Sequence, residues 1–344
     1  MSATLNPFEN LPVTLICPVS GKRDWRLLVS TDHLRKETLL RKKFLVNRLP
    51  PKVLHRELKH QHEFSIPAQG AIFENSHSGV LVRVGLPGDI QAIFRQESYS
   101  RDLLESLFQR FLRSFRRRIQ PYQCYLNPGS RVVEIGCYTG AFLALCKEMK
   151  WDAYGVEVGN CQVEFIREKS LNVHCSAAEK FDYGRNCLDA AFIWNCFDQI
   201  NDPKPLLNKL ARALRKNGLL IIRTPNALFY KLCQIVFHTM RRYGKEPNHK
   251  HCLVQALAYS HLLGFPYQFG YTPVALATLL NDCGLLVRDI QPVSVATLPK
   301  WDISTFWRHE QFATVHTMLR IGRHMANQNI DATLTPWFEI AAKK

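Results

Sequence analysis

The sequence predicts an α/β protein built on a mostly parallel sheet, and three observations carry that reading. Short apolar runs alternate with helical patterns through residues 125–226, as βαβ units with right-handed crossovers require. A tight glycine turn, Glu134-x-Gly136-x-x-x-Gly140, joins the first run to the first helix. Glu134, Gly136, Glu157, Ala178, Asn195 and Asn226 all fall at the carboxyl ends of these runs, where open parallel sheets bind ligands.

The elements follow in order. Val132, Val133 and Ile135 form the first buried strand, and Phe142, Leu143, Leu145, Cys146 and Met149 recur at helical spacing behind the turn. Residues 151–157 read as a second strand ending in Glu157, which lies 23 residues after Glu134. An acid about 20 residues beyond a glycine turn is placed to accept ribose hydroxyls. A helix over 161–169, a strand over 172–175 and a strand over 188–194 come next. A helix over 206–214 is expected to be capped by Asn217-Gly218, with a fifth strand over 219–224. Thr272-Pro273 opens a helix to Asp282, and a sixth strand covers 285–290. Residues 296–330 are expected to add a helix, and 337–342 a last, antiparallel strand.

Upstream, residues 100–119 form a helix with Ser100 as N-cap, an apolar stripe from Leu104 to Ile119, and arginines toward its C-terminal end. Residues 31–60 are basic with interleaved leucines, a helix that Pro50-Pro51 ends, and 61–95 read as a small β-rich unit. Cys17-Pro-Val-Ser-Gly21 resembles half of a C-P-x-C-G zinc ribbon, but Ser20 replaces the second cysteine and no C-x-x-C occurs in the chain. Structural zinc takes four ligands, so no metal is expected. The domain boundaries that follow are 1–99, a basic α+β region; 100–226, the cofactor half; 227–270, a substrate lid; and 271–344, the rest of the sheet domain.

The chain has 344 residues and a formal charge of +16, with 20 Lys and Arg against 11 Asp and Glu in residues 1–120. No apolar run approaches the roughly 18 residues of a membrane span, and residues 1–10 do not read as a signal peptide. Eleven cysteines without a disulfide framework are expected to be reduced thiols of a cytoplasmic protein. The positive charge admits nucleic acid or an anionic membrane surface as a partner.

At Glu134 to Gly140 the chain resembles the class I S-adenosylmethionine-dependent methyltransferases, whose first motif is E/D-x-G-x-G-x-G; Tyr138 stands at the middle glycine. Ser176-Ala-Ala-Glu-Lys-Phe181, Asp198-Gln-Ile-Asn-Asp-Pro203 and Phe265 through Pro273 resemble later family segments. The resemblance implies a Rossmann-like, seven-stranded, mostly parallel sheet. It also implies S-adenosylmethionine as cofactor, bound by Glu134, Gly136, Gly140, Glu157, Val158, Ala178 and Asn195. The small-molecule members, acting in quinone, sugar or secondary-metabolite pathways, are the nearest in pattern. The acceptor is then a small molecule methylated on oxygen or nitrogen, with Gln199, Asn226 and Tyr267 as substrate contacts. His249, His251 and Asp198 are the candidate bases, since such a nucleophile must lose a proton. Two alternatives stay open. An RNA methyltransferase is suggested by charge alone, because Asn195-Cys-Phe-Asp198 lacks both a D/N-P-P-Y/F motif and a Pro-Cys pair. A non-catalytic module is suggested by Tyr138, Ala177 and Gln199, which depart from the family pattern. The oligomeric state is not legible in the sequence.

Overall fold

The computed structural model describes residues 15–46, 70–85, 92, 94–95, 98–293 and 335–344. The expected helix within 296–330 lies outside them. The chain divides into two compact units. One comprises residues 88–224, 277–290 and 340–344; the other comprises residues 1–87, 225–276 and 291–339.

The chain's seven-stranded sheet contains β4 (Arg131–Ile135), β5 (Asp152–Glu157), β6 (Val173–Cys175), β7 (Leu188–Trp194), β8 (Leu214–Pro225), β10 (Leu286–Val293) and β11 (Trp337–Lys343). Their order is β10-β11-β8-β7-β4-β5-β6. The β4–β5, β4–β7, β5–β6 and β7–β8 pairs are parallel. This is the Rossmann-like sheet that the alternation predicts, with the final strand between β8 and β10 rather than at an edge. Strands β4 and β7 are almost wholly buried, which explains their continuous apolar sequence.

The helices of this unit follow their sequence signals. Ser100 caps α2 (Arg101–Arg118), its side chain accepting the Leu103 N–H. Leu104, Phe108, Leu112 and Phe115 turn inward. They join a core in which Phe142, from α4 (Ala141–Glu148), meets the Phe192 ring at 4.8 Å and the Phe115 ring at 5.4 Å. Two short helices, α3 (Gln120–Gln123) and α5 (Asn160–Glu168), complete the β4–β6 region.

One expected helix cap is not where the sequence placed it. Helix α6 runs over Pro203–Ala213, and Leu214 already has extended geometry. Asn217-Gly218 is therefore not its cap. The partner of β7 jumps from Leu214 to Leu219, so residues 215–218 bulge out of the ladder. Asn217 N–H donates to Lys344 O at 3.1 Å, and Lys344 N–H donates to Gly218 O at 3.1 Å. The dipeptide pairs with the last residue of the chain instead.

In the other unit, β1 (Trp25–Val29), β2 (Ala71–Asn75), β3 (Leu81–Val84) and β9 (Phe269–Gly270) form an antiparallel sheet in that order. The sequence reading anticipated β structure in 61–95 but not β1. Helix α1 covers Thr31–Val46. The segment read as a lid contains two helices, α7 (Ala227–Arg242) and α8 (Cys252–Tyr259). Helix α9 (Pro273–Asp282) follows. Phe229, Tyr230, Cys233 and Phe237 of α7 pack with Val254 and Leu257 of α8 and Leu34 of α1. All eleven cysteines are free thiols.

Candidate functional site

The site is built from the β4 turn outward. Gly136 has φ +67, and a Cβ there would fall 2.5 Å from Cys196 Sγ, so only glycine fits. Gly140 has φ +71 and begins α4, where a Cβ would meet Ile166 at 2.9 Å. Between them Tyr138 adopts φ +48. The middle glycine of the family motif is thus replaced by a residue held in the conformation glycine favours. The Tyr138 ring meets Tyr99 edge-on at 5.8 Å and Phe111 at 6.0 Å.

Two carboxylates stand at this edge. Glu157, 8% exposed at the end of β5, accepts the Tyr138 N–H at 2.8 Å on Oε2. Its Oε1 accepts the N–H groups of Val158 and Gly159 at 2.8 and 3.0 Å. The acid thereby joins the glycine turn of β4 to the loop after β5, and burial raises its pKa. Glu134 is 2% exposed, and its Oε2 has no hydrogen-bond partner. Burial first, and then the charge of Glu157, hold its pKa well above the ordinary range. A buried carboxyl group with an unpartnered oxygen and no cation paired to it suits a ligand carrying positive charge.

The other cofactor-side residues lie on the same strands and loops. Asn195 follows β7 with φ +61; its N–H donates to Arg223 O at 3.0 Å and its Oδ1 accepts from the Arg223 guanidinium. Ala178 is buried, and its carbonyl accepts the Tyr183 hydroxyl at 3.0 Å. Asp198, 2% exposed, and half-buried Gln199 belong to the short turn Phe197–Gln199. Sequence reasoning weighed Cys196 only as a nucleophile and missed its packing role: its thiol donates to Ile135 O at 3.2 Å and packs against Gly136. It also missed Gln162, whose amide lies on Gly159. Neither residue type marks itself in sequence.

The acceptor-side candidates Asn226, His249, His251 and Tyr267 belong to the other unit. Asn226 is fully buried and caps α7, its Oδ1 accepting the Leu228 N–H at 3.0 Å and its Nδ2 donating to Thr335 O at 2.9 Å. His251 caps α8, with Nδ1 accepting the Leu253 N–H at 3.3 Å and the ring edge-on to Phe237. Burial lowers its pKa, which favours the neutral ring that such a cap needs. His249 and Tyr267 are half-buried. Among the described residues, no group of three His, Cys, Asp or Glu is placed to hold a metal ion, and no helix is long and apolar enough to cross a membrane.

A parallel sheet with two acids and a glycine turn at one edge defines a Rossmann-like nucleotide-cofactor fold. The methyltransferase-domain family matches residues 103–285, over half of the chain, and the chain belongs to that family. It is an S-adenosylmethionine-dependent methyltransferase. Among solved structures it is similar to a SAM-dependent methyltransferase from Archaeoglobus fulgidus, with 21% identity over 70% of this chain and 98% of that one, and a TM-score of 0.42. It is also similar to one from Aquifex aeolicus, at 14%, 72%, 99% and 0.40. A third is geranyl diphosphate C-methyltransferase from Streptomyces coelicolor, in complex with magnesium, geranyl diphosphate and S-adenosyl-L-homocysteine, at 16%, 72%, 85% and 0.42. No curated protein matches the sequence.

The raised Glu134 makes a test of the cofactor site. Its raised pKa means that its own contribution to stability is complete below the ordinary glutamate pKa and is lost as pH rises through the shifted value. A cationic ligand favours the carboxylate, so S-adenosylmethionine binding should release a proton in that window and tighten as pH rises across it. Calorimetry in two buffers of different ionisation enthalpy reads this directly. Identical heats at a pH inside the window would remove Glu134 from the site.

Proposed function

We propose that the chain transfers a methyl group from S-adenosylmethionine to an oxygen or nitrogen of a small molecule of the quinone, sugar or secondary-metabolite type. The observation that carries the cofactor half is Glu134, a buried acid with an unpartnered oxygen one residue before the end of β4. Glu134, Gly136, Gly140, Glu157, Val158, Ala178 and Asn195 are the proposed cofactor residues. The cofactor supplies an electrophilic methyl group on a sulfonium. What the protein adds is placement of the nucleophile, worth up to about 7–11 kcal/mol in favourable cases, and removal of its proton.

For that proton we assign His249, His251 and Asp198 as candidates, with Gln199 and Tyr267 as acceptor contacts. Asn226 is a weaker candidate for direct contact, because its amide already serves α7 and Thr335. His251 already commits the basic Nδ1 lone pair of its neutral ring to the helix cap, so cap and base compete there and two substitutions test which it serves. Asparagine caps helices well, whereas alanine forfeits about 1 kcal/mol. His251→Asn should therefore keep thermal stability while losing turnover, and His251→Ala should lose both. Full turnover in the asparagine variant would leave His251 a structural residue.

The acceptor class is tested by incubating cell extract with labelled S-adenosylmethionine and separating small molecules from RNA. Label in the small-molecule fraction supports the proposal. Label in RNA, with binding that weakens steeply as salt rises, would replace it with the nucleic-acid reading. Calorimetry without any cofactor binding would favour a non-catalytic module.

A further inference from the structure

The two turns Cys17-Pro-Val-Ser-Gly21 and Asn75-Ser-His-Ser-Gly79 are copies of one another. Each ends in a glycine of positive φ, +67 and +69. In each, the glycine N–H donates to the carbonyl of the first residue at 2.9 Å. In each, the N–H of the first residue donates two beyond the serine: Cys17 N–H to Lys22 O at 3.0 Å, Asn75 N–H to Val80 O at 2.8 Å. The fourth residue's N–H reaches the first side chain, Ser20 to Cys17 Sγ at 3.5 Å and Ser78 to Asn75 Oδ1 at 3.1 Å. The serine hydroxyls also accept equivalent N–H groups, of Lys22 and of Val80, both at 3.3 Å.

The copies face each other. The first residue of one turn meets the fourth of the other: Cys17 Sγ lies 3.2 Å from Ser78 Oγ, and Ser20 Oγ donates to Asn75 Oδ1 at 3.0 Å. Paired C-x-x-C turns converge in this way on structural zinc, with sulfurs about 2.3 Å from the ion and hence about 3.8 Å apart. Here the four positions hold Cys17, Ser20, Asn75 and Ser78, with neighbours at 3.0–3.2 Å in direct contact. Asn75 is fully buried and one heavy atom longer than cysteine toward the centre. Its Oδ1 collects hydrogen bonds from Ser20 Oγ, His77 N–H, Ser78 N–H and Ser78 Oγ, and its Nδ2 donates to Asp24 O at 3.0 Å.

We propose that these turns are a zinc-knuckle pair that holds without metal, the Asn75 carboxamide standing where the ion would be. A carboxamide and two hydroxyls are poor zinc donors beside thiolates, so the native cluster does not recruit the ion. The backbone that would aim four ligands is nevertheless intact. Ser20→Cys, Asn75→Cys and Ser78→Cys together should therefore install a four-thiolate site with Cys17.

The test measures zinc per chain by elemental analysis after purification with zinc, and cobalt binding by visible spectroscopy. The triple variant should hold one ion per chain and give the bands of tetrahedral cobalt thiolate; the parent should hold none. A triple variant that folds, as judged by circular dichroism, yet binds no zinc would overturn the proposal. Where that variant does not fold even with zinc, the parent decides: a melting temperature unchanged by a strong chelator supports a metal-free knuckle, and a drop overturns it. One zinc per parent chain would overturn it as well.

Discussion

Glu37→Ala is expected to destabilise the unit containing α1, α7 and α8 by about 3–5 kcal/mol, since each buried donor left unsatisfied costs about 1–3 kcal/mol and such costs are not additive. Glu37 is 1% exposed and collects three donors from distant sequence. Tyr230 Oη donates to it at 3.0 Å, Gly264 N–H at 2.9 Å, and Gln234 Nε2 in a short contact. Burial raises its pKa despite these bonds. With a raised pKa, its favourable contribution is complete below the ordinary glutamate range and declines as pH rises through the shifted value. The deficit of the alanine variant should therefore narrow across that window. Glu37→Gln should lose less, because the amide oxygen still accepts and its NH2 can donate to Gln234 Oε1, which has no partner in the parent, once that amide turns over. Urea unfolding of the three proteins measures both effects, and a loss under about 1 kcal/mol for alanine would show that the donors find other acceptors.

The parallel sheet was legible because its central strands β4, β7 and β8 are buried on both faces over most of their length, and burial on both faces writes an unbroken apolar run. The glycine turn was legible because Gly136 and Gly140 each occupy a position where a Cβ would collide. Elements whose signal is relational were not. The bulge at 215–218 pairs with Lys344, more than 120 residues away, which no local pattern announces. Helix α7 carries a clear apolar stripe, yet residues 227–270 as a whole were given a functional reading, as a lid, before a structural one.

The site was legible as a set of positions but not as a network. Glu134 and Glu157 were placed by spacing, and spacing cannot say that one has an unpartnered oxygen while the other holds three backbone N–H groups. The second knuckle escaped notice for a chemical reason. A search for cysteine pairs cannot see Asn75-x-x-Ser78, although its backbone bonds repeat those of Cys17-x-x-Ser20 one for one. Glu37 sat in a run marked only by its basic residues and leucines, and its partners lie about 200 residues away.

Glu157→Ala is expected to weaken S-adenosylmethionine binding by about 1.5–3 kcal/mol, the scale of hydrogen bonds to a charged group. The sequence supplies one reason, an acid positioned for ribose hydroxyls. The structure adds another. Both oxygens of Glu157 tie the backbone of Tyr138 to that of Val158 and Gly159, so the acid fixes the shape of the turn that the cofactor must meet. Removing it frees Tyr138, whose φ of +48 is held against its intrinsic preference. The variant should lose affinity through both routes, and Glu157→Gln separates them. Glutamine retains an acceptor for the Val158 and Gly159 N–H groups but loses the negative charge and one acceptor oxygen. If ribose contact dominates, glutamine should recover about half of the lost binding energy; if turn geometry dominates, affinity should follow the melting temperature across both variants. An unchanged dissociation constant in folded Glu157→Ala would sink the assignment of this acid to the cofactor.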